Sequence, residues 1–143
     1  MQIKPYVRKA QYYETDQMAI IHHGNYIRWF EEARVDFMEQ IGYGYDRTVE
    51  EGVDIAVLEV CCQYKSMVRF GDVVDIAVSI RQLTPVKMVV GYLITDHETG
   101  DVRTTGESTH CFLSSGEHGI MRLNRAIPEL YALLEGVAEQ NRE

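Results

Sequence analysis

The sequence predicts an α+β fold: one long helix packed with a curved antiparallel sheet of about five strands. Three observations predict it. Residues 25–41 carry apolar side chains at three- and four-residue spacing, the period of a helix. Residues 53–114 hold four runs rich in Val, Ile, Tyr, Thr and Cys, with turn chemistry between them. The order is a strand, a long helix, then strands joined by connections too short for parallel crossovers.

Residues 6–13 read as the first strand, with Val7 in a polar setting. In the helix, Tyr26, Ile27, Trp29, Phe30, Ala33, Phe37, Met38 and Ile41 recur at helical spacing, and Arg28, Glu31, Glu32, Arg34, Asp36 and Glu39 fill most other positions. Asn25 is the candidate N-cap, with His23 and Gly24 at the entry, and Gly42 and Gly44 stop the helix. This helix carries more apolar surface than a one-sided surface helix needs, and a single sheet curled around it would bury that surface. Strands are expected at 53–66, 73–83, 86–96 and 102–114. Arg69-Phe70-Gly71-Asp72, Thr84-Pro85 and Glu98-Thr99-Gly100-Asp101 separate them. Residues 127–139 form a closing helix with Pro128 in its first turn. No repeat, linker or low-complexity stretch interrupts the chain, so residues 1–143 are expected to form a single domain.

Composition narrows the function classes. Hydrophobic residues make up 45% and charged residues 25%, ordinary for a globular protein. The net charge of -8 argues against nucleic acid as a partner. No apolar run approaches transmembrane length and the first residues lack a signal-peptide pattern, so no membrane partner and a cytoplasmic location are expected. Cys61, Cys62 and Cys111 make a disulfide framework a poor expectation, and the thiols are read as free.

The chemically suggestive stretch is Glu14 to Tyr26, ETDQMAIIHHGNY. Asp16 stands just before an apolar run, Met18-Ala19-Ile20-Ile21, and His22, His23, Gly24 and Asn25 close it. From residue type alone Asp16 is a turn cap or a reactive acid, the cap being about twice as common a role. His23 is a structural residue or an auxiliary that orients water or substrate. No second His or Cys lies at helical ligand spacing, so metal is set aside. His22 is expected to point away from its neighbour and His110 to be a hydrogen-bonded strand residue. Trp29 and Phe30 are most simply core, with one helix face as a candidate pocket lining, and Glu31 is either solvated, which is favoured, or a residue that shapes that pocket. The helix start offers unpaired N–H groups near His23 and Gly24, suited to developing negative charge. The apolar run is expected to keep water scarce between acid and donors.

Tyr12-Tyr13-Glu14-Thr15-Asp16, Ile20-Ile21-His22-His23-Gly24-Asn25-Tyr26 and Phe30-Glu31-Glu32-Ala33-Arg34 together resemble the hotdog-fold 4-hydroxybenzoyl-CoA thioesterase superfamily and its YbgC-like acyl-CoA thioesterases. Arg69-Phe70-Gly71-Asp72, Gly106 and His110-Cys111-Phe112 follow in order with weaker specificity. Ala19 departs from the family's usual glycine, and His22 stands where Tyr or Phe is common. The resemblance implies an acyl-CoA thioesterase with Asp16 as general base or nucleophile, the general base being favoured, and it makes the candidate pocket beside the helix an acyl pocket. It implies His23 as auxiliary, and the His23 and Gly24 backbone N–H groups as oxyanion donors. It implies no cofactor beyond the coenzyme A of the substrate, and a homo-oligomer, dimer or tetramer, with its site at the interface. Open strand edges also invite such pairing. Lys65, Arg69, Arg81, Lys87, Arg103 and Arg125 are candidate partners for the coenzyme A phosphates, unranked. Two other classes are weighed. One is a hotdog protein that binds acyl-CoA or acyl-carrier protein without turnover. The other is a hotdog hydratase or dehydratase, disfavoured because Asp16 and His23 are too far apart and no Asn-Pro pair is present.

Overall fold

In a computed structural model, which describes residues 2–142, the elements in chain order are β1 (Tyr6–Lys9), α1 (Gly24–Gln40), α2 (Tyr45–Glu50), β2 (Val53–Tyr64), β3 (Val73–Thr84), β4 (Lys87–Asp96), β5 (Val102–Ser114), α3 (Leu123–Ala126) and α4 (Pro128–Arg142). The strands make one five-stranded sheet in the order β1-β3-β4-β5-β2, antiparallel at every pairing. The α+β class and the strand number expected from the sequence are therefore present.

Four details differ from the expectation. β1 stops at Lys9, because a 3₁₀ turn at Tyr12–Glu14 follows, in which the Glu14 carboxylate accepts the Gln11 N–H at 2.9 Å. β2 pairs with β5 at the far edge of the sheet rather than with β3, its successor in the chain. The connection between β2 and β3 crosses the sheet by way of buried Val68, whose carbonyl accepts the Ile21 N–H at 2.8 Å. Asn25 does not cap α1: His23 holds the N-cap position without a side-chain cap, and Asn25 Nδ2 donates to the Glu14 carbonyl at 2.8 Å. The short helices α2 and α3 were not anticipated.

The long helix buries most of the stripe its spacing foretold, Tyr26, Trp29, Phe30, Ala33, Phe37 and Met38, with Arg34 among them, while Ile27 of that stripe is exposed. These side chains share one core with Ile76 of β3, Tyr92 and Ile94 of β4, Phe112 of β5, and Leu130 and Leu134 of α4. Phe30 stacks on Tyr92 with ring centroids 4.3 Å apart and planes 9° from parallel. Gly106 makes that approach possible, since a Cβ there would stand 2.5 Å from the Phe30 ring and 2.8 Å from the Cys61 carbonyl oxygen. One aromatic stack and one glycine thus fix how closely α1 lies on the sheet, and so where its N-terminal end points. Among the described residues, no helix is long and apolar enough to cross a membrane.

Candidate active site

Asp16 sits on a tight loop that the backbone closes on itself. Its N–H donates to the Ile20 carbonyl at 2.8 Å, and its carbonyl accepts the Ala19 N–H at 3.0 Å. Oδ1 accepts the Met18 N–H at 2.8 Å, so the side chain does cap the turn. The other oxygen, Oδ2, meets no protein donor among the described residues. Cap and reactive acid are thus compatible: one oxygen holds the turn and the other is free. Ala19 adopts φ of 62°, the left-handed region where glycine is at ease, at a cost of roughly 1 kcal/mol for a residue with a Cβ. The turn keeps a glycine-like backbone even though the residue is alanine.

The loop is held from beneath. Ile21 is buried and bonded to Val68, Ile20 bridges to Arg69, and Thr15 bridges back to Ile21. Glu14, only 3% exposed, accepts from Trp29 Nε1 at 2.8 Å and from Arg8 at 3.0 Å. Its carbonyl takes the His22 N–H as well as the Asn25 side chain. One buried acid therefore ties β1, the loop and the start of α1 together.

At the helix start, the His23 N–H has no acceptor among the described residues. The Gly24 N–H, the second expected donor, is engaged by His22 Nδ1 at 3.1 Å. The two imidazoles stack at 4.1 Å, so His22 lies against its neighbour instead of pointing away from it. Releasing the Gly24 N–H requires the His22 ring to turn, which also breaks its stack on His23. Tyr64, the last residue of β2, donates its hydroxyl to the His23 carbonyl at 2.9 Å. Burial, together with a bond to Cys62, pushes the Tyr64 phenol up to about 12, so it remains a neutral donor at ordinary pH.

Asp16, His23, Tyr26, Tyr64, Lys65 and Met67 line one cleft of about 270 Å³. The expected dryness is not found in the single chain: Ile21 is buried, but Met18 is 70% exposed, because the turn projects it outward. Lys65 stands in the cleft wall, and Arg69 lies beside it through the Ile20 bridge. Arg103 is engaged by Asp96 at 3.1 Å and by Ser66 at 3.2 Å, and Arg81 lines a different cavity with Cys61 and Glu107. Lys87 and Arg125 are exposed and do not line this cleft. Tyr64 and Met67 were not singled out in the sequence, since they lie about fifty positions from Asp16 and carry no local signal. Glu14 was also passed over, although its spacing from Gln11 is that of a capping box.

His110 lies fully buried on β5, with Nε2 2.7 Å from Ser108 Oγ. Burial, reinforced by the Arg34 charge, lowers its pKa to about 4. The sign follows from proton counts. The unfolded chain protonates this histidine near 6.5 and the folded chain only near 4, so the unfolded state binds more protons between those values. Stability contributed by neutral His110 is thus lost as pH falls from about 6.5 towards 4, by at most roughly 3 kcal/mol. Urea unfolding of the wild type and of His110→Asn at pH 7 and 4.5 checks this, the variant being expected to show a shallower loss.

Comparison with known proteins places these features in company. Residues 11–134 match the family described as the Thioesterase-like superfamily. The Bacillus subtilis (strain 168) protein named "Putative acyl-CoA thioesterase YneP" is 26% identical over 127 residues, covering 89% of this chain and 91% of that protein. The Aquifex aeolicus (strain VF5) protein named "Putative esterase" is 30% identical over 112 residues, covering 78% of this chain and 86% of that one. The crystal structure of a DHNA-CoA thioesterase from Staphylococcus aureus superposes with a TM-score of 0.91 at 27% identity, over 97% of this chain and 93% of its own.

Proposed function

The chain belongs to the thioesterase-like superfamily, and from that premise we propose that it is an acyl-CoA thioesterase, releasing a carboxylic acid and free coenzyme A. The observation that carries this reading is the pairing, in one cleft, of an acid with a free oxygen and a helix start with a free N–H. Asp16 Oδ2 and the His23 N–H both lack protein partners among the described residues. In this reading Asp16 removes a proton from water and the resulting hydroxide adds to the thioester carbonyl. The oxyanion is held by the His23 N–H, joined by that of Gly24 once His22 turns aside. The C–S bond then breaks as the carbonyl re-forms, and the departing thiolate takes up the proton held by Asp16, giving free coenzyme A and restoring the base. The His23 ring is an auxiliary that orients water, while Lys65 and Arg69 face the phosphates. No cofactor beyond the substrate's own coenzyme A takes part, and the cytoplasm is the expected compartment.

The same reading takes α1 as the helix that a hotdog sheet wraps, and it needs a second copy. β2 is an edge strand of twelve residues that carries exposed Val57 and Leu58, the latter 62% exposed. Long exposed apolar edges pair with other chains unless covered. A homo-oligomer, dimer or tetramer, would cover this edge and close the cleft that the single chain leaves open at Met18 and Met67. Light scattering at micromolar concentration is expected to give at least twice the monomer mass of 16.5 kDa, and a monomer would contradict the assembly.

The activity is tested by free-thiol release from short, medium, long and aromatic acyl-CoAs. Release from at least one class is expected, and binding without release from any would mark a non-hydrolytic acyl-CoA binder.

A further inference from the structure

Arg34 is a buried cation without a counter-ion. It is 7% exposed, and among the described residues no carboxylate lies within ion-pair distance. Its partners are neutral: Nε donates to the Tyr45 hydroxyl at 2.8 Å and Nη1 to the Tyr92 hydroxyl at 2.9 Å. Tyr92 lies 2.6 Å from Ser108 Oγ, and Ser108 lies 2.7 Å from His110 Nε2. Arg34 can only donate, so Tyr92 is free to donate to Ser108 and Ser108 to His110 Nε2, which leaves the buried Nδ1 of His110 without a partner among the described residues. The hydroxyls are thereby held in one direction, and they leave the positive charge uncompensated.

A guanidinium has five N–H donors, and these tyrosines take two of them. Among the described residues Nη2 has no protein partner, yet it is not among the fully enclosed unpaired atoms, so it keeps accessible surface. Arg34 lines a cavity of about 170 Å³ with Ile27, Phe30, Val57, Val60 and Ser108. That volume suits a benzene-sized group, since an apolar cavity of about 150 Å³ takes benzene. Exposed Arg28 and Glu31 also line it and offset one another, so the charge of Arg34 decides the sign inside. An unpaired buried charge is costly, and a planar fork of donors matches a carboxylate bidentately.

This cavity and the Asp16 cleft share no lining residue, but both are lined by residues of α1 and β2. Tyr64 of β2 meets His23 at the start of α1, while Val60 and Val57 line the cavity with Ile27, Phe30 and Arg34 further along the helix. At about 1.5 Å per residue, Arg34 Cα stands about 15 Å from Gly24 along the axis, and helical side chains lean back about one turn. The guanidinium is thus roughly 10 Å from the helix start, about the span of a six-carbon diacid with its hydrogen bond.

We propose that the Arg34 cavity is an acyl subsite for a carboxylate, so that the preferred substrates are acyl-CoAs whose acyl group carries a second, free carboxylate. The proposal rests on the acyl-CoA thioesterase reading and specifies its substrate class. Its test uses matched pairs: adipoyl-CoA against hexanoyl-CoA, and 4-carboxybenzoyl-CoA against 4-methylbenzoyl-CoA. A charge-assisted hydrogen bond is worth about 1.5–3 kcal/mol, so kcat/KM is expected to favour the carboxylated member of at least one pair by about tenfold or more. Arg34→Met is expected to bring that ratio to within about twofold of unity. The wild-type ratios need no variant, so the test stands even if Arg34→Met fails to fold. Hydrolysis of both members without preference, or a preference that survives in folded Arg34→Met, overturns the carboxylate subsite alone. Absence of thiol release from every substrate overturns the thioesterase reading as well.

Discussion

Asp16→Asn is expected to lower kcat by two to four orders of magnitude, the usual consequence of removing a general base. The fold should survive, because Asn keeps an oxygen where Oδ1 accepts the Met18 N–H, so the turn retains its cap. What is lost is the negative charge and basicity of Oδ2, the oxygen with no protein partner among the described residues. Circular dichroism and urea unfolding should match the wild type while thiol release falls. A folded variant with a near wild-type rate would reduce Asp16 to a cap.

The largest expected loss of stability comes from Glu14→Ala. Glu14 is buried, bonded to Trp29 Nε1 at 2.8 Å and paired with Arg8 at 3.0 Å. Removing one partner of a buried pair costs about 3–5 kcal/mol, because the remaining groups lose their partner where water cannot replace it. Glu32 lies 2.8 Å from Arg8 and would retain it in part, which places the expected value near the lower end. Unfolding in urea measures the change, and Glu14→Gln, which can still accept from Trp29, should cost less. A loss below about 1 kcal/mol in Glu14→Ala would mean that the loop is anchored by its backbone bonds and not by this acid.

The sequence made α1 legible because apolar spacing and the glycines that follow it are local signals. Gly24–Gln40 lies within one residue of the expected span at each end. β3, β4 and β5 were legible for the same reason, since the short turns between them dictate neighbouring antiparallel strands. The place of β2 was not legible. Its pairing with β5 depends on a connection that crosses the sheet through Val68, and nothing within β2 encodes that path. The site divides in the same way. Asp16 and His23 could be read because one loop carries both. Tyr64 and Met67 reach the cleft only through the tertiary fold, and the His22 contact with the Gly24 N–H depends on a side-chain rotation that residue spacing does not specify. Arg34 looked like a polar spacer between apolar positions, and only packing against Tyr45 and Tyr92 makes it a buried charge without a counter-ion.

In the proposed mechanism Asp16 activates water instead of attacking the thioester itself. Single turnover in heavy-oxygen water, with enzyme in excess over acyl-CoA, tests it most directly. If Asp16 is a general base, mass spectrometry finds the label in the released acid and none in the peptide containing Asp16. Label in that peptide would show that the carboxylate had formed a mixed anhydride, and would contradict the assignment.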